Sequence, residues 1–395
     1  MIVQHPMFWC AALLMAGVAV GLAFPLPCYL PLLAVAVVCC TLLRRNGRWH
    51  DVLTILVWLL LGCSRATIPF TSAPKPVWQQ TIGQSAKAVQ TALVARLERS
   101  GVSPRTLALC SALAVGKKDG LERETKRAYR QAGASHLLAL SGMHLGIVYG
   151  LLYFVFIRYV RLSRWRWHAL PFILLCLWGY ALVAGMPVSL VRAALMLSLL
   201  TIFSLKQNNT DPLHPLALSA IIILLINPAD LLSISFQLSF TAVFFLLALW
   251  TPLNDRFPRL SWLVKMLAVS CVATLGTMPL VCYYFHQLPL LGPIVSLVLI
   301  PLTTVIICLT FAAMVLPVAP LGWLLDVVVA FQEKVIDLGR SIPYTILTDI
   351  CPPVLLVALI YGALLVAIVR LRTLTDLPLC SGQLRSRQCL SDRRC

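Results

Sequence analysis

Charge is scarce in this sequence. Only 12% of its 395 residues are Asp, Glu, Lys or Arg, where soluble domains carry roughly 25%. Acidic residues are the rarest part, 14 against 32 basic, which leaves a formal net charge of +18. Hydrophobic residues make up 60%, against roughly 45–50% in soluble domains, which argues against a soluble enzyme with an added anchor. Also missing are a GxxxxGK[ST] loop, an HExxH pair, a His-x-His-x-Asp-His cluster and a kinase signature set. No route to ATP hydrolysis is evident, so any transport would draw on a gradient or a partner. The expectation is a protein that is not an enzyme and holds no cofactor and no metal. The 14 cysteines fall mostly in apolar runs (Cys39, Cys40, Cys176, Cys271, Cys308), where they act as small hydrophobes, and Cys380, Cys389 and Cys395 match no zinc spacing. The first apolar segment has neither a basic leader nor a small-residue cleavage pattern, and is expected to be retained.

What is present is a series of long apolar runs. They predict an all-α polytopic integral membrane helical bundle of about 10–12 transmembrane helices with one broken segment. The expected spans cover 7–24, 28–43, 52–69, 136–157, 169–186, 188–205, 213–226, 236–250, 262–282, 288–316, 321–340 and 354–369. The run 288–316 holds Pro293 and Pro301 and is the expected broken segment. Residues 321–340 carry Asp326, Glu333, Lys334 and Asp337, and either cross or lie in the interface. Arg44, Arg45, Arg158, Arg161, Lys206, Arg256 and Arg370 follow alternate spans, which predicts twelve crossings with both termini cytoplasmic. Four regions result: N-terminal transmembrane helices over 1–70, an extracytoplasmic helical basic region over 71–134, a membrane core over 135–370 and a basic cytoplasmic tail over 371–395. Within 71–134, Ser103-Pro104 opens a helix through Leu113, and a second helix over 121–130 stops at Gly133.

The chain is organised around Arg130-Gln-Ala-Gly-Ala-Ser-His-Leu-Leu-Ala-Leu-Ser-Gly-Met-His-Leu-Gly-Ile147. Its apolar run carries His136, Ser141 and His144 in its first three turns. Such polar groups in an apolar run face a bundle interior or a water-filled path, unless backbone carbonyls satisfy them in packing. Arg192 either pairs inside, faces an aqueous path, or snorkels to an interface. Gln237 and Ser239 offer either path contacts or interhelical hydrogen bonds. Tyr283-Tyr284-Phe285-His286-Gln287 reads as a short connection whose aromatics form an interface belt or stack on bases. Arg123, Lys126, Arg127 and Arg130 share one helix beside the His136 segment. A basic collar there suits a polyanion, and a solvated helix face explains it equally well.

Four stretches in order resemble ComEC-type competence proteins, the inner-membrane DNA-uptake channels. They are Ala132–Gly146, Gly185–Met196, Asn227–Phe240, and Gly276-Thr-Met-Pro-Leu280 with Tyr284-Phe-His286. The Gly292–Pro301 run is also similar, with Ser296-Leu where Asn-Leu is usual. The resemblance covers about 107–316 and implies a channel core in a bacterial inner (cytoplasmic) membrane that passes single-stranded DNA during natural transformation. It implies single-stranded DNA, a periplasmic DNA receptor, a cytoplasmic helicase or single-strand-binding proteins, and the lipid bilayer as partners. His136, Ser141, His144, Arg192, Gln237 and His286 match family motif positions, and their role along a DNA path is inferred from polarity alone. The sequence departs from the family pattern in two ways. Residues 71–134 are too few for a full OB-type outer domain, and no metallo-β-lactamase-like metal motif follows the last span. Two other classes stay open. One is a small-solute transporter, which predicts internal repeats, although the signature stretch has no second copy. The other is an intramembrane serine hydrolase using Ser141 with a histidine from another segment.

Overall fold

The computed structural model describes residues 6–26, 28–42, 47–67, 77–117, 120–138, 142–154, 156, 163–206, 211–250, 253, 254, 257, 259–342 and 346–376. The described residues form α1 (Pro6–Ala23), α2 (Tyr29–Leu42), α3 (Gly47–Thr67), α4 (Val77–Arg99), α5 (Pro104–Val115) and α6 (Arg123–Gln131). Next come α7 (Ser135–Leu138), α8 (Gly142–Tyr153), α9 (Ser163–Val183), α10 (Val188–Lys206), α11 (Leu213–Ile226) and α12 (Ile234–Phe245). The last helices are α13 (Trp262–Phe285), α14 (Gly292–Val315), α15 (Ala319–Ser341) and α16 (Val354–Asp376). A 3-10 turn, Pro228–Leu232, joins α11 to α12, and α12 runs on through a π-helical turn, Leu246–Trp250. Two short strands, β1 (Gln287–Pro289) and β2 (Ile346–Thr348), pair antiparallel with Leu288 opposite Leu347. The all-α expectation holds apart from this one ladder.

Local chemistry sets the ends of the helices around the signature stretch. Ser103 caps α5 by accepting from the Thr106 amide, and Pro104 stands in the first turn, where its missing N–H is no loss. Helix α6 ends in a two-bond turn: Ala134 N donates to Tyr129 O and Gly133 N to Arg130 O. That turn needs a left-handed residue, and Gly133 supplies it with φ 73. Helix α4 lies within 71–134, which is expected to be helical, but the sequence offers no bounds for it. Its Gln, Ser, Thr and Ala mixture shows no clean apolar stripe, yet Ala86 and Leu97 are buried.

Helix α3 lies against both α1 and α2, and α1 reaches α11. At the first contact, a Cβ on Gly17 would run into the Leu59 carbonyl, so only glycine permits this approach. Helix α10 packs on α8, α9 and α11, while α13 packs on α12, α14 and α16. Helices α4, α5 and α6 pack against α14 and α15. The largest core is built there: Leu97, Leu109, Leu113 and Tyr129 meet Leu299, Ile306, Leu325 and Ile336. Helix α14 is continuous, which corrects the expected broken segment. Pro293 sits in its first turn, where no intrahelical N–H bond is lost, and Pro301 is accommodated inside it.

The count of spans is corrected as well. Crossing a hydrocarbon core takes about 20 apolar residues. Among the described residues, three helices are long and apolar enough: Pro6–Ala23, Trp262–Phe285 and Gly292–Val315. The other apolar stretches, such as Gly142–Tyr153, Leu170–Val183 and Leu213–Ile226, run 10–17 residues. Within the expected 136–157 span the described residues form the four-residue α7 and the 12-residue α8, and 139–141, 155 and 157 lie outside the described residues. Three such helices are not the polytopic bundle of 10–12 spans. The multi-pass inner-membrane placement with both termini cytoplasmic rested on that count and falls with it.

Candidate functional site

Arg192, Ser233, Ser235, Gln237 and Tyr284, drawn from three of the signature stretches, meet around the start of α12. Ser233 caps this helix, its Oγ accepting from the Phe236 amide at 3.2 Å and donating to Asp230 O at 2.8 Å. Arg192 projects from α10 onto the first turn. Its Nη2 donates to Ser235 O at 2.9 Å and also to Ser235 Oγ. The Arg192 side chain is 2% exposed, yet its Nε and Nη1 have no acceptor among the described residues. Ser235 itself is exposed. Asp230 lies close enough to act on Arg192 electrostatically, without a direct ion pair, and accepts from Asn227 Nδ2 at 3.0 Å. Burial pushes the Asp230 carboxyl above its ordinary range, while Arg192 and the Asn227 hydrogen bond pull it back.

Gln237 and Ser239 stand on the same helix. Gln237 Nε2 donates to Leu231 O at 3.0 Å, and its Oε1 accepts from Tyr284 OH at 2.8 Å. Ser239 Oγ donates to Ser235 O at 2.6 Å, one turn back. Tyr284 belongs to the last turn of α13, not to a loop, because α13 continues to Phe285 and closes at His286 with φ 54. Further contacts bring in the remaining motif segments. A Cβ on Gly142, at the start of α8, would lie 3.1 Å from Ala193 Cβ, and one on Gly133 would lie 3.2 Å from Pro289 Cβ. The stretches that are far apart in sequence are thus neighbours.

Not every candidate joins this group. His136 on α7 is exposed, and His144 on α8 is fully buried at 0% exposure. The two are near enough to act on each other electrostatically. Ser141 lies outside the described residues, so no dyad with it is placed. His286 is exposed at the ladder, with Nδ1 3.3 Å from Ile350 O and 3.4 Å from Cys351 Sγ. Arg123, Lys126, Arg127 and Arg130 are all exposed on α6, opposite the buried Thr125, Ala128 and Tyr129. None of the four forms an ion pair among the described residues. Glu122 and Glu124 stand at the N-terminal end of α6, where negative charge complements the helix dipole.

Two contributors escaped the sequence reading. Ser235 sits inside the Ser233–Ser239 motif, but only the fold shows that it receives Arg192. Arg65 on α3 donates from Nε to Leu225 O and from Nη2 to Ile226 O, each at 2.6 Å, capping the end of α11 just before the Asn227–Asp230 turn. Its signal was available: an arginine inside an apolar run, as conspicuous as Arg192.

The competence protein family model matches residues 113–374. The chain belongs to this family. It is 34% identical over 201 residues to ComE operon protein 3 of Bacillus subtilis (strain 168), covering 51% of this chain and 25% of that protein. It is 29% identical over 216 residues to Recombination protein 2 of Haemophilus influenzae, covering 49% and 27% respectively. Against Competence protein ComA of Neisseria gonorrhoeae the figures are 27% over 227 residues, 54% and 31%. The chain therefore spans about a quarter to a third of the length of these relatives. No solved structure matches it. Family membership stands, but the inner-membrane DNA channel expected with it does not. A conducting bundle of ten or more crossings is not available from three helices of sufficient length and apolarity among the described residues.

Proposed function

We propose that this competence-family protein takes part in DNA uptake by holding single-stranded DNA through its phosphates, without reading base sequence. The observation that carries this is the outer face of α6, where Arg123, Lys126, Arg127 and Arg130 are exposed and unpaired among the described residues. The buried face of the same helix is anchored through Tyr129 to Gln332 of α15 at 2.9 Å. Fixed cations of this kind attract a polyanion and release its counterions, which makes binding tight at low salt and independent of sequence. The role is that of a binding protein, not an enzyme. A DNA receptor, and a helicase or single-strand-binding protein, are the partners it calls for. Lipid is the partner assigned to the exposed apolar faces, such as Leu30 and Val35 on α2 and Leu355 and Leu359 on α16.

The test is a four-fold change, Arg123→Gln, Lys126→Gln, Arg127→Gln and Arg130→Gln, with oligothymidylate affinity measured across a salt series. Each lost phosphate contact should flatten the log–log salt slope by about 0.7. Unchanged affinity and slope would remove α6 from the account.

A further inference from the structure

Arg192 is engaged on one side only. Its Nη2 is held by Ser235, while Nε and Nη1, both buried, meet no acceptor among the described residues. A guanidinium carries five donors and stays charged, so this arrangement calls for an acceptor. The surroundings suit an anionic one. Ile234 and Ser235 are exposed in the first turn of α12, where a helix leaves amide donors unmatched and presents its positive end. Helix α12 is 12 residues long; Ser233 takes its Phe236 and Gln237 amides, which leaves those of Ile234 and Ser235 for the site. The exposed Ser235 hydroxyl is therefore the outermost group of a short series, with Arg192 directly behind it. Asp230 stands beside Arg192 without pairing to it, tied back by Asn227.

We infer that Arg192, Ser235 and the first-turn amides of α12 form an acceptor site for one phosphate group. The group is either a phosphodiester of single-stranded DNA or free inorganic phosphate. In both cases Ser235 Oγ turns away from Arg192 Nη2 and donates to the phosphate, which opens the guanidinium: one phosphate oxygen takes a guanidinium donor and another takes a first-turn amide. Asp230 opposes the bound anion and so weakens the site. Only the DNA source rests on the proposed function; the phosphate site does not.

The experiment uses the intact 395-residue chain and three probes: inorganic phosphate, oligothymidylate, and oligothymidylate with uncharged methylphosphonate linkages. Asp230→Asn keeps Arg192 in place and should tighten phosphate binding about threefold, the size of one modest charge interaction. Arg192→Gln and Ser235→Ala should weaken it, and Arg192→Gln should also flatten the oligothymidylate salt slope by about 0.7. If the DNA phosphodiester is the ligand, inorganic phosphate competes with oligothymidylate and the methylphosphonate strand loses this contribution. Phosphate binding that responds to Asp230→Asn, with no binding of oligothymidylate, would keep the site and reject the DNA reading. Oligothymidylate binding that ignores all three substitutions and is not competed by phosphate would overturn the site and leave the α6 account standing. Failure of the wild-type chain to bind inorganic phosphate or oligothymidylate would overturn both.

Discussion

Two polar seams cross the interior of this protein, and they are finished differently. Between α6, α14 and α15, neutral groups close on one another. Gln332 Nε2 donates to Tyr129 OH at 2.9 Å and lies 3.4 Å from Thr303 Oγ1, all three being essentially unexposed. Arg105 pairs with Glu333 at 2.8 Å at the edge, and Asp326 accepts from Ser103 Oγ at 2.8 Å. One amide oxygen, Gln332 Oε1, is left over, and Glu333 Oε1 is matched only by its ion pair with Arg105. Burial holds the Tyr129 hydroxyl well above its ordinary pKa, so it stays a neutral hydrogen-bonding group. Between α10 and α12 the central group is a full charge, Arg192, and two of its donor nitrogens are left over. A neutral leftover is a small structural cost, whereas a buried charge left half-matched is a large one. The first seam therefore reads as a latch that holds α4–α6 against the rest, and the second as a site prepared for something else.

The largest effect should come from tightening the latch too far. A Cβ on Gly322 would collide with the Ser100 carbonyl, backbone against helix. Gly322→Ala should therefore cost about 3 kcal/mol in denaturant unfolding, near the upper end of the overpacking range. Next, Tyr129→Phe leaves the buried Gln332 amide with only the longer Thr303 contact and should cost about 2 kcal/mol, and adding Gln332→Leu should recover much of that, because the lost amide no longer needs a partner. Arg192→Met should cost less than about 1 kcal/mol, because it removes a half-matched charge along with its bonds to the exposed Ser235. If Arg192→Met costs as much as Tyr129→Phe, the distinction between the seams is lost.

The smallest effect is a pH dependence. Burial raises the Glu333 carboxyl, and Arg105 pulls it back. A carboxyl raised in the folded state stabilises below its unfolded value of about 4.3 and loses that contribution as pH rises through the folded value. Stability should therefore drop slightly on going upward through that window, and Glu333→Gln should flatten the drop.

Much of the frame was legible because single residues decide it. Ser103-Pro104 opens α5 and Gly133 closes α6, each by backbone chemistry that needs no tertiary partner. Helix α11 occupies the expected 213–226 because its apolar run is bounded by Pro212 and by Asn227-Pro228. The bounds of α4, within a region expected to be helical, were not legible because its stripe is weak until α14 covers it. The span count failed because apolarity along a sequence does not set helix length: Gly142–Tyr153 and Leu213–Ile226 are apolar but shorter than a crossing. Pro301 was over-read as a break in α14. At the site, the motif order pointed to Arg192 and Gln237, but the pairing with Ser235 and Tyr284 depends on how α10, α12 and α13 cross. No spacing in the chain encodes that crossing.

The most direct measurement puts Tyr129→Phe and Arg192→Met side by side, with unfolding free energy and oligothymidylate affinity determined for each. Tyr129→Phe should lose stability and keep its affinity, while Arg192→Met should keep its stability and lose affinity. Affinity that follows stability in both variants, or an Arg192→Met protein that binds as the wild type does, would contradict the account.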